Sequence, residues 1–191
     1  MKYDVNFNKI RFSHLKESRY GKVYKTIVEA KRLYPIDKEA SCTRLRIALE
    51  ILVDEIFKFT GGEKLKQGTI NANLRILREI IPEQVRLYEG NDIVSEMHNV
   101  RIHGNNGAHR NDRRAKDVDK SAYTIWIAVK KICGWLETFE EDYAAYARSG
   151  KKHKSNRQNE KGLLGTIINV AIILIVLIAV IVLLIRYFKM F

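Results

Sequence analysis

Within nine residues, Arg101-Ile102-His103-Gly104-Asn105-Asn106-Gly107-Ala108-His109 gathers a guanidinium, two imidazoles, two primary amides and two glycines. A histidine can take the proton of a ribose 2′-hydroxyl or return one to a leaving oxygen, while an arginine holds the phosphate as charge builds. Arg101 and His109 are therefore the candidate catalytic pair for metal-independent RNA cleavage. His103, Gly104, Asn105 and Gly107 are the candidate loop or ligand contacts. The two glycines accept positive φ and the asparagines tolerate it, so a sharp turn could bring His109 toward Arg101. The purely architectural reading of the same residues is a helix C-cap at Gly104 followed by a short connector.

Metal chemistry is not expected. His98, His103 and His109 lie close together in sequence with Glu96 and Asp112, but no histidine pair has the i, i+4 spacing that makes one helix face a clamp for zinc. Nucleotide P-loop, dinucleotide-binding and zinc-finger patterns are missing from the sequence, so no cofactor is predicted either.

The elements that must position this stretch are helical by periodicity. Val23, Ile27, Ala30 and Tyr34 form one apolar face, ended by Pro35. Asp37 can cap a second helix with Leu45, Ala48, Leu52, Ile56 and Phe59 inward, closed by Gly61-Gly62. On it, Arg46 and Glu50 are four apart and are read as a structural ion pair. Thr69 opens a third helix, through Ile70, Leu74, Leu77 and Ile81 to Pro82. A fourth, from about Asn91 to Ile102, delivers the central stretch. After Asn111-Asp112 comes the longest, with Val118, Ala122, Ile125, Val129, Ile132, Leu136, Phe139, Tyr143 and Tyr146 as an unbroken heptad seam. Trp126, Ile127, Cys133 and Trp135 offer a second apolar face. The seam packs into the domain itself, or one of the two faces serves a homodimer.

Composition adds a second region. Of 191 residues 46% are hydrophobic, yet residues 163–185 run without a single charge, and 23 residues at ~1.5 Å each reach roughly 34 Å, the length of a membrane crossing. No apolar leader stands near Met1. Half of the net charge of +12 lies from Lys151 onward, mostly in a stalk whose lysines suit anionic lipid and keep the large domain on the cytoplasmic side. The expected organisation is a cytosolic helical domain at 1–148, a basic juxtamembrane stalk at 149–162, a transmembrane helix at 163–185 and a short tail at 186–191. That makes the chain a tail-anchored, single-pass protein of the inner membrane. Cys42 and Cys133 sit in apolar helical patterns and read as buried free thiols rather than a disulfide.

Two stretches carry a family resemblance. Thr43-Arg44-Leu45-Arg46-Ile47-Ala48-Leu49-Glu50 is similar to an "ARxALE" helix, and Arg101 through His109 to an "R-x-x-GN-x-A-x-H" loop, of a helical domain found alone and at the N-terminus of type I restriction endonuclease subunits. That domain is grouped with the HEPN superfamily of prokaryotic defence and RNA-processing proteins. The resemblance, from about Asn6 to Leu136, implies an all-α bundle of four to five helices with nucleic acid or a defence-system protein as partner. Active HEPN ribonucleases place the histidine closer to the arginine than here, where seven residues separate Arg101 from His109. The implied role is thus a sensor or effector in anti-phage defence. The alternatives are a membrane-tethered ribonuclease using Arg101 and His109, and a dimeric adaptor that recruits a partner to the membrane.

Overall fold

The computed structural model describes residues 3–106 and 118–149. Residues 3–143 belong to one compact unit and a second begins at Ala144. The first contains α1 (Gly21–Leu33), α2 (Lys38–Thr60), α3 (Ile70–Ile80), the single turn α4 (Glu83–Arg86), strands β1 (Leu87–Tyr88) and β2 (Asn91–Asp92), α5 (Ile93–Asn106) and α6 (Val118–Leu136). Residues 139–143 at its end are helical, as are residues 144–149 of the second unit.

Helix boundaries follow local chemistry. The Asp37 carboxylate accepts from the Ala40 amide at 2.9 Å to start α2, and Gly61, at φ 71°, ends it in the left-handed region that an L side chain resists. The Thr69 hydroxyl accepts from Ala72 to start α3. Asp92 accepts from the Val94 and Ser95 amides at 2.9 and 3.3 Å to start α5. The same carboxylate, through its other oxygen, receives the Arg86 Nε at 3.1 Å, while Arg86 Nη1 donates to the Arg78 and Ile81 carbonyls at the end of α3.

The core lies where α1, α2, α5 and α6 meet. Trp126, Trp135, Phe57 and Phe139 are fully buried there, with Leu45, Ile56, Leu74, Leu77, Ile93 and Met97. Both indoles keep a partner, as buried N–H groups must. Trp135 Nε1 donates to the Val85 carbonyl at 2.7 Å. Trp126 Nε1 donates to Ser41 Oγ at 3.3 Å, and the Ser41 hydroxyl in turn donates to the Ala30 carbonyl at 2.9 Å, joining α6, α2 and α1. Before α1 the chain makes 3-10 turns at Phe7–Lys9 and Ser13–Leu15 that lay Val5, Ile10 and Leu15 onto the core.

Four expectations are corrected. First, a helical bundle completed by a single transmembrane helix is not the observed architecture. Among the described residues no helix is long and apolar enough to cross a membrane: α1, α3, α4 and α5 have 14 residues or fewer, and α2 and α6 carry charged side chains. Even α2, at 23 residues, carries Arg44, Arg46, Glu50, Asp54 and Glu55 through its middle. The expected span at 163–185, with the tail after it and all but Ser149 of the stalk, lies outside the described residues. Second, the fold is not purely α, since β1 and β2 pair antiparallel across the two-residue turn Glu89-Gly90. Third, the heptad seam is interrupted. α6 ends at Leu136, and Glu137 and Thr138 form a turn through the Gly134 and Trp135 carbonyls. The break follows Gly134, a residue about 1 kcal/mol poorer than alanine in a helix. Fourth, Trp126, Cys133 and Trp135 are as buried as the seam, so these three side chains form no surface for a partner.

Candidate functional site

The stretch that sequence marks as a turn begins as helix. α5 continues through Gly104 and Asn105 to Asn106. Gly104 is not a C-cap. It lets α5 close on α2: a Cβ added there would lie 2.6 Å from the Arg46 Cβ and 3.2 Å from the Cys42 carbonyl oxygen. The glycine is required by close backbone approach rather than by φ. Gly107 and His109 lie outside the described residues.

Helical geometry fixes which candidates share a face. His98, Arg101 and Asn105 stand at i, i+3 and i+7, on one side of α5. His103 points elsewhere: its Nδ1 lies 3.2 Å from Ser121 Oγ on α6. His98 and His103 therefore face different neighbours, and among the described residues no three His, Cys, Asp or Glu side chains converge on a common point suited to a metal ion. Cys42 and Cys133 are free and buried, and burial pushes both thiols up to about 12.

Arg46 and Glu50 pair as the spacing predicts, with Nε to Oε1 at 3.3 Å. That contact is close enough for an ion pair but not aligned as a hydrogen bond, so Arg46 Nε is among the buried polar atoms without a hydrogen-bond partner. Arg101 Nε and Asn105 Oδ1 are two others. Unsatisfied polar atoms out of reach of water are costly, and three on one helix pair are unusual.

Next to them lies a group of cations that the sequence reading did not single out. His98 is held below its ordinary value chiefly by burial and then by the positive charges of Arg101, Arg78 and Arg75, against a smaller opposing pull from Asp92. The group therefore spans α3 and α5. Arg78 donates to Ser95 Oγ at 2.8 Å and lies 3.9 Å from Asp92, whereas Arg75 and Arg101 have no carboxylate partner among the described residues. The signal that could have revealed this is the i, i+3 pair of arginines on the polar side of the helix opened by Thr69. His103 is likewise held below its usual value, by burial and by Lys120. Burial and the neighbouring cations thus both favour the neutral form of each imidazole.

Two guanidiniums without a carboxylate partner among the described residues, with a third near them, form a cationic face of the kind that suits an oxyanion. Arginine presents a planar fork that matches phosphate. Compared with protein-family models, curated proteins and solved structures, the chain gives no match.

Proposed function

We propose that the domain senses RNA by holding its phosphates against the α3–α5 face around Arg101, as a binding rather than a cleaving module. The observation that carries this reading is the grouping of Arg75, Arg78 and Arg101 around His98, with Arg75 and Arg101 lacking a carboxylate partner among the described residues. A role in anti-phage defence is the biological form of the proposal and rests on the resemblance of the Thr43–Glu50 and Arg101–His109 stretches to the HEPN-like helical domain.

The test is fluorescence anisotropy of the full chain with a labelled single-stranded RNA at several salt concentrations. Arg101→Ala and Arg75→Ala should each weaken binding for every sequence tried and flatten the salt dependence by about 0.7 in log–log slope, the value for one phosphate contact on a single strand. Unchanged affinity and slope in both variants would remove the proposal. Cleavage of the RNA that is lost in Arg101→Ala would replace sensing by catalysis.

A further inference from the structure

A second site lies in a different part of the same unit. A polar cleft of about 390 Å³ opens between the N-terminal segment, the β1–β2 hairpin and α6, a volume within the ~300–1,000 Å³ usual for small-molecule sites. Lys9 and Arg11, which flank the buried anchor Ile10, reach it from one side and Lys130 from the other. None of the three is in an ion pair among the described residues. Lys131 also lines the cleft but is already committed, donating to Glu96 at 2.7 Å and Asn91 at 2.9 Å.

Two further features show that the cleft is shaped. Its floor is Gly134, where an added Cβ would lie 2.5 Å from the Tyr88 hydroxyl, so glycine lets that phenol reach in. Its rim carries Glu89 at φ 48°, the only non-glycine with positive φ among the described residues. With Gly90 at φ 74° it makes the left-handed two-residue turn that asparagine or glycine adopts with least strain. A glutamate kept in that strained backbone, with its side chain on a cavity, is the kind of outlier that points to function. Glu137 supplies a second carboxylate to the lining.

We propose that this cleft binds a small phosphomonoester of the sugar-phosphate class. Its dianionic phosphate lies among Lys9, Arg11 and Lys130, and its hydroxyl groups donate to Glu89 and Glu137. The two kinds of group on the lining call for a ligand that is anionic at one end and rich in donors at the other. A plain anion is repelled by the carboxylates, which can take a ligand's hydroxyls beside the contacts that Glu137 makes with His14 Nδ1, at 3.6 Å, and Glu89 with Tyr88, and a neutral sugar leaves three cations without a counter-charge.

Isothermal titration of the full chain with ribose 5-phosphate, adenosine monophosphate, inorganic phosphate and ribose tests this. Saturable binding is expected for the two phosphomonoesters, at least tenfold weaker binding for inorganic phosphate and none for ribose. Arg11→Ala and Lys130→Ala, both at exposed positions, should each weaken binding by about tenfold. Glu89→Asn should raise the ligand-free thermal midpoint while weakening binding, a combination that loss of folding cannot produce. Arg101→Ala should leave this affinity unchanged, which separates the cleft from the RNA-binding face. No saturable binding of either phosphomonoester, or inorganic phosphate binding as tightly as they do, would overturn the proposal.

Discussion

At the scale of single residues, Gly104 shows why sequence and structure assign the same amino acid different duties. Glycine between helical segments suggests a turn, and only the fold reveals α2 crossing directly above it. No local pattern encodes the distance to a residue 58 positions earlier in the chain. Gly104→Ala is accordingly expected to cost about 1–3 kcal/mol by overpacking, although alanine is the better helix former. Urea unfolding of the variant checks this, and a stabilised Gly104→Ala would mean that the crossing is looser than described. The imidazoles give a second expectation. His98 and His103 both have lowered values in the folded chain, so below pH 6.5 the unfolded chain binds protons that the folded one does not. Their contribution to stability is complete above that pH and is lost as pH falls through the lowered values. Midpoints measured from pH 7.5 to 5 should decline, and His98→Gln with His103→Gln should flatten the decline.

Elements were the most legible part of the chain. The caps at Asp37 and Thr69, the stop at Gly61 and the Arg46–Glu50 pair can all be read locally, because each depends on residues within one helical turn. The break after α6 and the burial of Trp126 and Trp135 cannot be read that way. Both faces of the helix are apolar, and only its three-dimensional neighbours decide that α2, α4, β1 and α5 cover them. Replacing Trp126 or Trp135 by a polar residue should therefore unfold the domain rather than yield a folded monomer, as judged by far-UV circular dichroism. The hydroxyl relay through Ser41 makes a finer test. Ser41→Ala leaves the Trp126 N–H unpaired in the core and should cost about 1–3 kcal/mol in chemical denaturation. Asp37→Ala, which removes one part-buried cap bond, should cost about 1 kcal/mol.

Taken as a whole, the described unit is a helical core with charge on its outside, and its candidate sites lie at places where that charge is not balanced locally. The two tryptophans are the only ones in the sequence and both are buried. Intrinsic fluorescence should therefore be blue-shifted in the native state and should report opening of the core rather than of the surface. A different kind of opening is built around Arg86. One guanidinium holds the last carbonyls of α3 and the carboxylate that starts α5, so two helices distant in sequence share a single fastening. Releasing it exposes the end of one and the beginning of the other in the same event. In hydrogen–deuterium exchange, the amides near Ile80 and Ile81 and those of Val94 to Met97 should then exchange at a common rate and with a common denaturant dependence, as one cooperative unit. Arg86→Lys, which keeps the charge but not the fork, should divide that unit into two that open independently.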